Sequence, residues 1–178
     1  MINQLQRAHA SGAKVALFGL LFVASQALIG FLLHSGNADV LLITLQLTFD
    51  ADSFGQLLAG MSPEQKQALL NHFYPDFVHP VWYSLFAFYA TALLFNRLNV
   101  SPRWNWILPL ALFMGVLDLV ENSLHLPMIT GYLAISELPV MLAAACATTK
   151  WSLAVFFVLL VTILSGKLML GGAADGDQ

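Results

Sequence analysis

Four stretches of this chain are apolar for about the length of a membrane crossing, and the third carries acids. They run approximately over Ala13–Leu33, Val78–Leu98, Trp104–His125 and Trp151–Leu170. Each is near the ~20 residues a helix needs to span a hydrocarbon layer of about 30 Å. In the third, Asp118, Glu121, Asn122 and His125 fall at i, i+3, i+4 and i+7, so on a helix they form one polar stripe. An acid at the centre of an inserted helix costs about 2.5–3.5 kcal/mol, while each Leu, Ile, Phe or Val contributes only about 0.3–0.6. Two acids roughly cancel the apolar gain, so the stripe must face protein, water or a ligand. Ionisable groups at such depth are functional-site candidates by default.

Composition agrees with a membrane protein. Of 178 residues, 58% are hydrophobic and 10% charged, against about 25% charged in soluble domains; the mean hydropathy is +0.75. A formal net charge of −3 argues against a nucleic-acid partner. The single cysteine, Cys146, excludes an intrachain disulfide, a CxxC redox pair and a Cys-rich metal site. The first stretch has Arg7 and Lys14 ahead of it and Gly36-Asn37-Ala38 after it, as a cleaved signal would, but it exceeds the usual apolar region of about 7–15 residues. A retained span is therefore expected.

The expected fold is an all-α membrane protein: a four-helix transmembrane bundle with a partly helical extracytoplasmic cap between spans one and two. Residues 1–170 form one membrane domain, and the Gly/Asp-rich tail 171–178 is expected to be disordered. Arg7, Lys14, Arg97, Arg103 and Lys167 fall on one side, Lys66 and Lys150 on the other. The positive-inside rule then places both termini in the cytoplasm of a bacterial inner membrane protein. In the cap, Ile43-Thr-Leu-Gln-Leu-Thr-Phe49 alternates like a strand. Asp52 or Ser53 is expected to cap a short helix reaching Gly60. Ser62-Pro63-Glu64-Gln65 starts another, which runs to about Phe73 and ends at Pro75. A last helix starting at Ser136-Glu137 is about 50 Å long if unbroken to Leu170; it either protrudes or bends near Thr148–Lys150.

This topology brings Asp118, Glu121, Asn122, His125, Asp76, His79, His34 and Lys150 to one membrane level. Gln26, Gly30 and His34 share a face of span one, and His79 and Tyr83 a face of span two. Three acids, Asp76, Asp118 and Glu121, face one lysine, so charge balance implies that one carboxyl retains a proton at neutral pH. His34, His79 and His125 are suitable ligand types for zinc or iron, but HExxH and ExxH are missing, so no metal is expected. Ser123 lies off the stripe without a GxSxG setting. His9 and His72 read as solvent-exposed, and Trp82, Tyr83, Trp104, Trp106 and Trp151 as interfacial anchors.

The chain resembles a family of small bacterial four-helix membrane proteins to which no activity is assigned. The likeness rests on Leu45-Gln-Leu-Thr-Phe49, Asp76-Phe77 with Tyr83, Leu117-Asp118-Leu-Val-Glu121-Asn122 and Lys150-Trp151. It covers about Leu41 to Leu160 and implies four helices and the polar cluster. His79-Pro80 departs from the pattern, where apolar residues are more usual. In outline the chain also looks like the sterol-isomerase and sigma-2-receptor group, an architectural analogy only.

The expected function is binding of a small lipophilic molecule, such as a membrane lipid, with acid–base isomerisation or cyclisation as the accompanying chemistry. Asp118 and Glu121 are the expected acid–base pair, supported by Asn122, His125, Lys150, Asp76, His79, Tyr83, Gln26 and His34. Such proton transfers need no cofactor. The alternatives are an accessory subunit whose polar network is structural, and a proton relay or transporter.

Overall fold

The computed structural model describes residues 10–174. Among them lie seven α-helices, one 3-10 turn and no strand: α1 Gly12–Ser35, α2 Asp39–Gln46, α3 Ala51–Ala59, α4 Pro63–Asp76, α5 His79–Arg97, the 3-10 turn Pro102–Ile107, α6 Leu108–Thr130 and α7 Glu137–Ala174. Three segments, α1, the 3-10 turn with α6, and α7, are long and apolar enough to cross a membrane. Helix α5 reaches that measure only jointly with α4, to which it is joined through a 48° bend. With 19 residues α5 is about 28 Å long, and Ser84, Thr91 and Asn96 dilute its apolar character.

The segment expected as a strand is helix α2. A single strand here has no neighbour to satisfy its backbone groups, whereas a helix satisfies them internally. Burial follows the helix and not the alternation: Leu45 and Gln46 are buried, while Val40, Ile43 and the following Leu47 are exposed. Asp50, rather than Asp52 or Ser53, caps α3, its carboxylate accepting the Ser53 N–H at 2.7 Å. That bond holds the exposed Asp50 carboxyl below its ordinary range. Ser62 and Gln65 form the expected reciprocal cap on α4, with the Gln65 N–H donating to Ser62 Oγ at 3.2 Å and the Ser62 N–H to Gln65 Oε1 at 2.9 Å. Pro75 does not end α4 but lies inside its last turn, and the chain bends only after Asp76. Helix α7 runs unbroken through Lys150 and continues over Gly171–Ala174, where a disordered tail was expected; positions 175–178 and His9 lie outside the described residues.

Helix α5 packs on both α1 and α6, and α7 packs on α6 and on α5. The α1–α5 contact is aromatic, with Phe18 stacked on Tyr89 at 5.5 Å and Phe22 on Phe86 at 5.9 Å. The α5–α6 contact is closer: a Cβ on Gly115 would lie 2.6 Å from Ser84 Oγ and 2.9 Å from the Pro80 carbonyl oxygen. Two apolar cores result. One joins Leu33, Leu45, Phe54, Leu69 and Phe73 to Met128 and Val140; the other joins Ala87, Phe95, Leu108 and Met114 to Phe157 and Leu164. The buried face of α6 runs through both, from Leu108, Ala111 and Met114 to Met128 and Ile129, and its middle is the polar stripe.

Gly115→Ala is expected to destabilise the protein by roughly 1–3 kcal/mol, because a backbone carbonyl cannot yield as a flexible side chain can. Gly166→Ala, whose Cβ meets nothing within 4 Å, should gain up to about 0.5–1 kcal/mol through helix propensity. Thermal unfolding in detergent, followed by circular dichroism, tests the pair; a Gly115→Ala protein that melts at or above wild type would refute the close α5–α6 approach.

Candidate functional site

The stripe on α6 is buried, and each member meets a group from another element or another turn. Asp118 is clamped from two sides. Lys150 of α7 donates to its Oδ1 at 2.5 Å, and the Tyr83 hydroxyl of α5 donates to its Oδ2 at 2.9 Å. The same ammonium stands 2.7 Å from Glu121 Oε2. Glu121 is fully buried, and although it pairs with Lys150 by distance, neither of its oxygens has a well-directed hydrogen bond. Its Oε1 faces His125 Nδ1 at 3.5 Å. The His125 ring is stacked on Phe54 of α3, 5.6 Å between centroids and 12° between planes, so α3 covers the cluster on the His125 side.

Asn122 ties the stripe to the α4–α5 bend. Its amide donates to Asp76 Oδ2 at 2.9 Å and to the Asp76 carbonyl at 3.3 Å. Asp76 also stands 3.7 Å from His72 Nε2, one turn back on α4. His72 was expected in solvent but is fully buried. Its Nδ1 bonds the Leu69 carbonyl, which leaves Nε2 without a hydrogen-bond partner among the described residues. The signal for its burial was present: Ala68, Leu69, His72, Phe73 and Asp76 form one helical face, and all are buried. His79 Nδ1 lies 2.8 Å from Ser25 Oγ. The serine hydroxyl also lies within reach of the Leu21 carbonyl at 2.8 Å and the Phe22 carbonyl at 3.0 Å.

A cavity of about 580 Å³ abuts this cluster. Asp76, His79, Tyr83, Asp118 and Lys150 form its polar end, while Phe22 and Ile29 of α1 and Phe157 and Val161 of α7 line its apolar length. Helices α1 and α7 are not extensively packed on each other, and the cavity lies between them. It reaches the surface there, because Gln26 and Val158 both line it and are exposed.

Eight of the ten expected site residues are thus joined through Lys150, Tyr83, Asn122 and the Glu121–His125 contact or line the same polar end. Gln26 lies on the cavity wall away from the cluster. His34 does not join: its side chain is 85% exposed and faces Asp39 at 3.6 Å. Glu121, Asn122 and His125 stand behind the cavity wall, whereas Asp118 is on it. Among the described residues, no three His, Cys, Asp or Glu side chains converge as metal ligands. Gln46, which the sequence reading did not single out, is buried on α2 and accepts the Trp151 indole N–H at 3.2 Å. Tyr83 and Trp151 are therefore hydrogen-bonded members of the site, not simply interfacial anchors. Ser123 is exposed and bonds back to the Leu119 carbonyl.

The chain matches no family model, no curated protein and no solved structure.

Removing the ammonium leaves two buried acids unneutralised. Lys150→Met is expected to destabilise the protein by roughly 3–5 kcal/mol, and adding Glu121→Gln should recover part of that loss. Thermal unfolding in detergent reads both; a Lys150→Met protein that melts like wild type would mean that the ammonium reaches the interface instead of the acids.

Proposed function

We propose that the protein is a four-span membrane bundle that binds a small lipophilic molecule in the cavity between α1 and α7. In this reading α1, α5, α6 and α7 cross a bacterial inner membrane, α2 to α4 cap the outer side, and both termini are cytoplasmic. The distribution of Lys and Arg supports that orientation, and the apolar faces of α1 and α7 support insertion. One observation carries the binding reading: an apolar cavity of about 580 Å³ meets a cluster of buried ionisable groups at one end. Pockets of this size, mostly apolar with a few converging polar groups, are the usual setting of ligand sites.

Acid–base conversion of the bound molecule is part of the proposal. Asp118 is the carboxyl on the cavity wall, with Tyr83 and Lys150 setting its charge. Asp76, also on the wall, is the second carboxyl, in place of the Glu121 first considered. Glu121, Asn122 and His125 hold Asp118, Asp76 and Lys150 in position from behind. A second reading has its own support. Lys150 bridges both Asp118 and Glu121, as it would in an accessory subunit whose network fixes helix register without chemistry.

Native mass spectrometry of the detergent-purified protein separates these readings. The ligand reading expects a co-purified lipophile that is lost in Gly30→Phe, since Gly30 lines the cavity and a Cβ there meets nothing within 4 Å. A protein that carries no such adduct, or one that Gly30→Phe retains, is the accessory subunit. For orientation, a C-terminal alkaline phosphatase fusion should be inactive and a C-terminal fluorescent fusion bright; an active phosphatase would invert the topology.

A further inference from the structure

The cavity's dimensions and its polar end identify the kind of molecule it takes. Its wall on α7 extends from Lys150 to Thr162, twelve residues or about 18 Å at 1.5 Å per residue. One extended chain fits along this wall, with its polar end at Lys150 and its apolar length among Phe22, Phe157 and Val161. At about 1.25 Å per bond, the spacing implied by 3.8 Å over three backbone bonds, 18 Å accommodates about 14 carbons.

The polar end restricts the head group. Asp39, Asp76 and Asp118 line the cavity against the single ammonium of Lys150, which is already held by Asp118 and Glu121. An anionic head would therefore meet a surplus of carboxylate. A cationic head would have to leave water for a site at membrane depth, a penalty that a neutral head avoids. The hydrogen-bonding inventory is mixed. Asp76 uses only Oδ2 for Asn122, which leaves Oδ1 as an acceptor, and His79, with Nδ1 engaged by Ser25, presents Nε2 as a further hydrogen-bonding group. Gln46 spends its carbonyl on Trp151, leaving its NH₂ group as a donor. A head that both donates and accepts meets this inventory.

We infer that the cavity takes a single-chain amphiphile of about 14 carbons with an uncharged hydroxyl or carboxamide head, which enters sideways from the bilayer between α1 and α7 with its head at the level of Lys150. The inference rests on the ligand reading above and names its class. Lateral access follows from the position of the opening: Gln26 and Val158 line the cavity and are exposed, at the level where Val23, Leu28, Val155 and Leu159 present apolar surface.

The test uses the full chain in lipid nanodiscs and three probes with the same diazirine-bearing 14-carbon chain: tetradecanol, tetradecanoate and tetradecylammonium. Tetradecanol should crosslink to cavity residues Phe22, Phe157 and Thr162 at least tenfold more than either charged probe at pH 7.5. The lipid-facing Leu17, Val155 and Leu159 should show no such preference. In Asp76→Asn the disadvantage of tetradecanoate should shrink at least threefold; an unchanged ratio in a folded variant overturns the charge argument. If that variant does not fold, the wild-type comparison of the three probes decides. Equal cavity labelling by a charged probe overturns the head assignment and leaves the binding reading standing. A native lipophile excluded by Gly30→Phe, with no cavity labelling by any probe, overturns the single-chain assignment alone. No native lipophile and no cavity labelling overturn both.

Discussion

The architecture depends on one ammonium held between two carboxylates inside an apolar bundle. Lys150 stands 2.5 Å from Asp118 and 2.7 Å from Glu121, with apolar cores on either side. Bringing such ions out of water costs several kcal/mol each, and the attraction between them offsets this only at short range with further hydrogen bonds in place. Those bonds come from every direction. Tyr83 supplies one from α5, Asn122 ties in the bend between α4 and α5, and Phe54 of the cap covers His125. A shift of α7 along α6 by one turn would move the ammonium about 5.4 Å and break the triad. The polar layer therefore sets the register of α7 on α6, which the apolar cores, being non-directional, specify less sharply.

The same layer makes the cavity possible. Lys150 draws α7 onto α6, while aromatic stacking holds α1 on α5; α7 also meets α5, and the cavity lies between α1 and α7. At the outer end, α2 lies against the gap and the Trp151–Gln46 hydrogen bond fastens it to α7. The apolar length of the gap and its ionisable end are thus consequences of one arrangement. Acid–base chemistry at that end would act on the head of a bound molecule, while the chain stays among Phe22, Phe157 and Val161.

Much of this was legible in the residues. The i, i+3, i+4, i+7 spacing placed Asp118, Glu121, Asn122 and His125 on one face, and counting charges at one membrane level pointed to Lys150 and Asp76. What failed did so where local pattern and tertiary context compete. Residues 43–49 alternate with period two, but with no adjacent strand the backbone groups are satisfied only by a helix. Pro75 has no N–H for the Asn71 carbonyl, yet the next turn closes through the Phe77 N–H and the Phe73 carbonyl at 3.0 Å, and α4 continues to Asp76. His72 looked like a surface residue although the helix carrying it was expected; α4 turns the face of Leu69, His72 and Asp76 inward. His34 has the right spacing from Gln26 and Gly30, but lies in the last turn of α1, where the side chain faces out toward Asp39. The gap between α1 and α7 had no local signal, since it arises from how each helix packs on its other neighbours.

The central claim is that the buried triad coexists with an open, chain-shaped cavity between α1 and α7. A cryo-electron microscopy map of the protein in lipid nanodiscs measures this directly. The account predicts continuous side-chain density joining Lys150 to Asp118 and Glu121, and a separate elongated feature along α7 from the level of Lys150 to that of Thr162. Helices α1 and α7 packed against each other, or Lys150 turned to the membrane surface away from both acids, would contradict it.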